Sequence, residues 1–272
     1  MKPAGERING EQMINENVIR LFGVSMHAWS MEKTVETIRE RLARGEFTQH
    51  VVVNVAKLVN MQSDTVLAES VASCDIVNID GAGVVAGGWL LGEAIPERVA
   101  GVDLFYQLLA MAEQSRRSVY LLGAKETIIE ETVNRVRHDY PDLKIAGYHH
   151  GYFWDDETEV VRDISSSGAE MLFVAITSPK KENFINKWRA DLGVKFVMGV
   201  GGTFDVVAGH VKRAPLWMQK IGFEWLYRVI QEPRRMWRRY LVTNSKFLVM
   251  LLRGIIDRNY RHHGLQTLPR DN

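Results

Sequence analysis

From about residue 18 the chain alternates short apolar runs with longer segments patterned as helices, and this alternation limits the fold more than any other feature. Val51–Val55, Asp75–Ile79, Ser118–Leu122, Met171–Ile176 and Lys195–Met198 are nearly continuous apolar runs rather than apolar/polar alternations. That is the signature of strands covered on both faces. Between them lie crossovers of helical length. In Met31–Arg44, for instance, Val35, Ile38 and Leu42 recur at helical spacing. An opening strand is expected near Leu21–Trp29, one helix from Val55 to about Ser73, and another opening near Gly83. Further helices are expected over Val102–Gln114 and Lys125–Tyr140, then a strand at Leu143–Ala146 and helices starting at Glu157 and Pro179. The fold class is α/β: a mostly parallel, Rossmann-like sheet with helices on both faces.

The character changes after Gly209. Val211–Asp257 has no strand pattern and carries Trp217, Trp225, Tyr227, Trp237 and Tyr240 among Arg and Lys. It reads as two or three helices broken near Pro215 and Pro233. The expected organisation is a loosely ordered N-terminus (1–17), a core (18–210), a basic helical appendage (211–258) and a loosely ordered tail (259–272). From Val211 onward there are 13 Lys and Arg against 4 Asp and Glu, a net of +9. With +1 for the whole chain, the first 210 residues carry −8. The basic end therefore points to an anionic partner. Arg234, Arg235, Arg238 and Arg239 around Met236, Trp237 and Tyr240 suit a lipid headgroup layer. A solvated surface helix is the alternative, and nucleic acid is not expected as a partner. Tyr240–Ile256 is interrupted by Asn244, Lys246 and Arg253, so it falls short of the roughly 20 apolar residues of a spanning helix. The N-terminus lacks the apolar core of a signal peptide. A cytoplasmic location is expected. The lone Cys74 lies in a core-like run and reads as a structural thiol.

In open α/β sheets ligands bind beyond the carboxyl ends of the strands. The residues there are Asn54, Asp80-Gly81-Ala82-Gly83, Gly123-Ala124-Lys125, Thr177-Ser178-Pro179-Lys180-Lys181-Glu182 and Gly201-Gly202-Thr203-Phe204-Asp205. Small residues and helix starts suit phosphate binding by backbone N–H groups, although such turns also serve only to reverse a chain. Asp80 is either a helix N-cap or a carboxylate facing a ligand. Asp205, His210, His149 and His150 are similarly open. There is no zinc-ligand spacing, Walker lysine, dinucleotide fingerprint or nucleophile elbow.

Several longer motifs are more specific. Asn78-Ile-Asp-Gly-Ala-Gly-Val84, Pro96-Glu-Arg-Val-Ala-Gly-Val-Asp103 and Tyr120-Leu-Leu-Gly-Ala124 are followed by Gly147-Tyr-His-His-Gly-Tyr152 and Gly201-Gly-Thr-Phe-Asp-Val-Val-Ala-Gly209. Lys212-Arg-Ala-Pro215, Gly222-Phe-Glu-Trp-Leu-Tyr-Arg228 and Glu232-Pro-Arg-Arg235 close the series. In this order, over about residues 18–240, the chain resembles the WecG/TagA/CpsF family of bacterial glycosyltransferases.

The resemblance implies a metal-independent, cofactor-free, inverting transfer from a UDP-sugar to a polyprenyl-diphosphate-linked saccharide, at the inner face of the cytoplasmic membrane. The sugar would be of hexose, N-acetylhexosamine or uronic acid type. It implies Asp80 as general base, with Asn54 beside it. The matching motifs make Gly81, Gly83, Arg98, Asp103, Gly123, Lys181, Gly201, Gly202 and Asp205 candidates for substrate binding. Arg213, Arg228 and Arg235 of the appendage are the candidates for holding the diphosphate. Family members also associate through their cores, so a homo-oligomer is a further expected partner. Two positions depart from the family pattern: Val52-Val-Asn54 has Val where Thr is usual, and Pro179-Lys-Lys-Glu182 has Lys181 where Gln is usual. The alternative from another class is a membrane-associated, nucleotide-binding scaffold without turnover.

Overall fold

The computed structural model describes residue 14 and residues 16–264; of the expected loosely ordered ends, 1–13, 15 and 265–272 lie outside the described residues. Eight strands form one sheet: β1 (Val18–Leu21), β2 (Val24–His27), β3 (Thr48–Val53), β4 (Ile76–Ile79), β5 (Ser118–Gly123), β6 (Lys144–His149), β7 (Met171–Ala175) and β8 (Phe196–Gly199). Their spatial order is β1-β2-β4-β3-β8-β7-β5-β6. Only the β1–β2 pair is antiparallel. The α/β class read from the alternation is the class observed.

Helices α1 (Met31–Ala43), α5 (Gly101–Gln114) and α6 (Glu126–Asp139) cover one face, with the short α9 (Thr203–Val207). Ile38, Leu104, Phe105, Ile129, Phe173 and Phe196 form the core between them and the sheet. The other face is covered by α2 (Val55–Asn60), α3 (Thr65–Ala72), α4 (Ala82–Leu90), α7 (Glu157–Ser166) and α8 (Lys180–Trp188). Its cores are built around Leu58, Leu67 and Val84 at one end and Val160, Ile164 and Phe184 at the other.

Three local features differ from the sequence reading. The opening strand is a hairpin, because Phe22 (φ 51°) and Gly23 (φ 84°) both take the positive φ that a tight two-residue turn demands. The helix expected to run from Val55 to Ser73 breaks after Asn60, and Asp64 caps a new one by accepting from the Leu67 N–H at 2.9 Å. The tail expected to be loose from residue 259 begins with a helix, α13 (Arg258–His263). Tyr260 is buried, and the carbonyls of Arg261 and His262 accept from the N–H groups of Phe22 and Gly23.

The appendage comprises α10 (Leu216–Lys220), α11 (Glu224–Gln231) and α12 (Pro233–Ile256). Pro215 immediately precedes α10 and Pro233 opens α12, positions that need no backbone N–H. Met236, Thr243, Phe247, Met250 and Gly254 of α12 are buried. Their spacings of seven, four, three and four residues give the helix one docked stripe. Phe247 and Leu251 press on Gly87 of α4, where a Cβ would come within 2.9 Å of both.

Candidate active site at the carboxyl ends of the central strands

Strands β4, β3 and β8 are neighbours, so the loops leaving them converge. Val53 pairs with Ile79, which sets Asn54 beside Asp80, and the Asp80 N–H continues the ladder to the Val53 carbonyl at 2.9 Å. Gly201 and Gly202 leave the adjacent β8. These residues form one cluster. Gly123, at the end of β5, stands four strands from β4, roughly 19 Å at about 4.8 Å per strand. It lies apart from Asp80.

Asp80 does not cap the helix that follows it. The N-cap of α4 is Gly81, at φ 98°, with no side-chain hydrogen bond. This backbone conformation is open to glycine at no steric cost, and it turns the chain so that the Asp80 side chain faces across to α5. There the Gly101 N–H, at the positive end of α5, approaches Oδ2 at 3.5 Å. At that length the bond is weak. Gly83 has a packing role, since a Cβ there would meet Val55 of α2 at 2.7 Å.

The carboxyl of Asp80 is only partly exposed, and desolvation raises its pKa above the ordinary value. Arg98 opposes that rise, Glu224 adds to it, and the Gly101 N–H and Arg228 oppose it more weakly. Asn54 Oδ1 accepts from the Lys57 N–H at 3.0 Å, so its carbonyl end caps α2.

The appendage closes over this cluster. Gly222, in the turn between α10 and α11, lies so near Ala82 that a Cβ would sit 2.4 Å from the Ala82 Cβ. Glu224 then pairs with Arg98 at 3.0 Å and approaches Arg228 at 3.9 Å. Arg228 and Asp205 line a cavity of ≈ 110 Å³ with Gly202, Val211, Gln231, Glu232 and Met236. Arg213 and Asp103, each a candidate for binding substrate, bind each other: two guanidinium nitrogens meet the two carboxylate oxygens at 2.5 and 3.1 Å. The pair ties the appendage to the first turn of α5. The Arg235 side chain lies outside the described residues. A larger cavity of ≈ 590 Å³, lined by Tyr106, Glu131, Arg135 and Val206–Gly209, contains none of the strand-end candidates.

Sequence reasoning missed a buried ionic triad. Lys57 and Lys181 both reach Glu182 Oε1, at 2.7 and 2.6 Å, and Lys57 also donates to the Val52 carbonyl at 2.7 Å. Burial lowers the Lys181 pKa to about 8, while the two ammonium groups hold Glu182 at about 2 despite its burial. Glu182 follows Lys181 in the quoted Pro-Lys-Lys-Glu run, but nothing in the spacing links it to Lys57. Tyr240, expected from the sequence to belong to the lipid-facing cluster, instead lies half-buried near Arg228 and Asp80. Its ring is tilted against Trp225 with centroids 5.7 Å apart; burial raises its pKa, Arg228 and Arg239 oppose the rise, and Glu224 and Asp80 add to it.

Of the remaining ambiguous residues, His210 is exposed and His149 and His150 are half-buried. His210 pairs with the exposed Glu131 at 2.5 Å, and His149 contacts the His150 carbonyl at 2.8 Å. Burial pushes the Cys74 thiol up to about 12, keeping it protonated. Among the described residues no three His, Cys, Asp or Glu side chains form a group that could hold a metal ion.

A family model described as glycosyl transferase WecG/TagA/CpsF matches residues 19–261. The chain belongs to that family. One relative, from Bacillus spizizenii, is an N-acetylglucosaminyldiphosphoundecaprenol N-acetyl-beta-D-mannosaminyltransferase. It is 42% identical over 170 residues, covering 62% of this chain and 65% of its own length. A protein of the same description from Bacillus subtilis is 39% identical over 180 residues, 66% of this chain and 70% of its own length. The match thus spans about two thirds of these relatives.

The two positions expected to depart from the WecG/TagA/CpsF pattern lie in different surroundings. Val52 faces the start of α5, its Cγ2 3.5 Å from where a Cβ on Gly101 would lie and Asp80 Oδ2 3.9 Å from that same point. Val52, where the resemblance implied Thr, thus puts a methyl in the wall beside Asp80. Lys181 instead runs along Gly199, where a Cβ would meet its Cε at 2.8 Å, and ends buried on Glu182.

Proposed function

We propose that this protein transfers a sugar from a UDP-sugar, with inversion, to a polyprenyl-diphosphate-linked saccharide, and that Asp80 is the general base. The observation that carries this reading is the Asp80 carboxylate, uncommitted to its own helix and flanked by Arg98 and Arg228. Asp80 takes the proton of the acceptor hydroxyl as its oxygen bonds to the anomeric carbon. The bond from that carbon to the diphosphate oxygen breaks on the opposite face, and UDP carries away the electron pair. Guanidinium groups from the core and appendage offset the charge that develops on the leaving diphosphate. The two Bacillus relatives support a polyprenyl-linked acceptor and an N-acetylhexosamine donor.

The test is UDP release from a panel of UDP-sugars, with and without polyprenyl-diphosphate-linked GlcNAc and longer lipid-linked glycans. Acceptor-dependent release is the expected result. UDP binding without turnover on any acceptor would favour the scaffold reading.

The appendage is proposed to hold the enzyme at the inner face of the membrane, where such an acceptor resides. No described helix is long and apolar enough to cross a membrane. The outward side of α12 exposes Trp237, Leu241, Leu248, Leu252 and Ile256 among Arg238, Arg239 and Arg253. That combination suits shallow insertion beside anionic headgroups. Changing Leu248 and Leu252 together to Glu is expected to lower sedimentation with anionic liposomes at least about tenfold, since each leucine contributes about 1.5–3 kcal/mol when buried. Unchanged sedimentation would remove this part of the proposal.

A further inference from the structure

The turn that seats the appendage places a carboxylate among the arginines assigned above to the donor. Gly222 rests on Ala82, two residues beyond Asp80, and Glu224 follows two residues later. One Glu224 oxygen is 3.0 Å from Arg98 of the core; the other is 3.9 Å from Arg228 of the appendage. Glu224 and Arg98 are 17% and 19% exposed, so this pair is shielded compared with an ordinary surface ion pair. Arg213 and Asp80 also feel the Glu224 charge.

Two acids, Asp80 and Glu224, thus stand against two arginines, Arg98 and Arg228, leaving this part of the site without net charge. A general base requires only one of those acids. A carboxylate offers a guanidinium the same paired oxygen acceptors as a phosphate. Glu224 therefore gives the two guanidinium groups an anionic partner of the kind a diphosphate would supply, hydrogen-bonded to Arg98 and in ion-pair range of Arg228. A second acid so placed repels an entering anion unless it leaves the arginines as the anion arrives.

We infer that Glu224 is an internal stand-in for the donor's diphosphate: it occupies Arg98 and Arg228 in the unliganded protein and yields them when a nucleotide diphosphate binds. The inference rests on the reading of the site given under Proposed function. It makes Glu224 a residue that sets donor affinity and keeps the arginines aligned between turnovers. It also gives the turnover cycle a way to expel UDP, because the carboxylate returns to the arginines as the diphosphate leaves. A site open only a tenth of the time binds about tenfold more weakly than one always open.

The experiment is a calorimetric titration of UDP into the full chain and into Glu224→Gln, which keeps the side-chain shape and removes the charge. UDP is expected to bind Glu224→Gln about tenfold more tightly. The gain should vanish when the substitution is made in an Arg98→Gln background. Thermal unfolding of each variant checks the fold. Should Glu224→Gln be poorly folded, Trp225 of the wild type gives a second readout. It adjoins Glu224 and its ring lies 5.7 Å from that of Tyr240, so UDP should change its emission, and Trp225→Phe should remove that signal. Equal or weaker UDP binding by folded Glu224→Gln, or a silent Trp225 in a wild type that binds UDP, overturns the inference and leaves the glycosyltransferase reading standing. A wild type that binds no UDP at all overturns both.

Discussion

Asp80→Asn is expected to lower acceptor-dependent UDP release by about 10²–10⁴-fold, the usual contribution of a positioned general base, with UDP binding retained. Asn keeps the shape and can still accept from the Gly101 N–H, so what disappears is the ability to take a proton. The same site sets the pH dependence. Desolvation raises the Asp80 pKa, so the acid limb of kcat/KM should lie above the ordinary Asp value of about 3.9. Activity should be lost as pH falls through the raised value, where the base becomes protonated. The stability effect has the opposite sign to that of a paired carboxylate. A carboxyl whose folded pKa is raised favours the folded state most at low pH and loses that contribution as pH rises through the unfolded and then the folded value. Ionised Asp80 therefore costs stability at neutral pH, and Asp80→Asn should melt no lower than the wild type. A variant that retains full turnover would eliminate Asp80 as base. One that loses turnover together with UDP binding would indicate a binding role instead.

Much of the sheet was legible because its strands are buried on both faces. Runs such as Met171–Ile176 carry that burial in composition alone, without needing to show which strand lies beside which. Strand order was not legible. That β8 inserts beside β3, bringing Gly201 and Gly202 next to Asn54 and Asp80, depends on crossovers that leave no local pattern. The hairpin at Phe22 was hidden because the chain places a large apolar residue at a positive φ, where sequence statistics expect Asn or Gly. Among candidate residues, the strand-end rule located Asp80 but could not tell a cap from a free carboxylate. Gly81 decided that, by serving as the N-cap itself. Arg213 and Asp103 were both legible as motif residues, yet their mutual pairing required the appendage to fold back across 110 residues. Glu182 and Lys57 illustrate the same limit. Charges that stabilise one another in the interior look like ordinary surface charges when read along the chain.

Glu182→Gln is expected to produce the largest loss of stability, about 3–5 kcal/mol, because removing one partner from a buried ionic group leaves uncompensated charge. Here two cations would remain. Lys57 and Lys181 both depend on one Glu182 oxygen, and all three side chains are less than 8% exposed. Water cannot replace the lost anion without opening the contact between α2 and α8. Removing one cation as well should relieve the repulsion, so Lys181→Met combined with Glu182→Gln should recover part of the loss. Simple additivity across these two substitutions would contradict a shared network. The pH dependence supplies a separate test. Glu182 is held at about 2, below the ordinary glutamate value of 4.5. A carboxyl with a lowered folded pKa contributes stability in full above its unfolded value and loses it as pH falls through the folded one. Wild-type stability should therefore fall between about pH 4.5 and 2, and the variant should lack that component of the fall. Lys181 acts at the other end. Burial lowers it to about 8 from 10.5, so the folded state releases this proton before the unfolded chain does and stability should rise between those values. Lys181→Met should remove that rise. Urea unfolding across both windows reads all three effects. A wild type whose stability is flat from pH 4.5 down to 2 would show that Glu182 is not held by its two lysines.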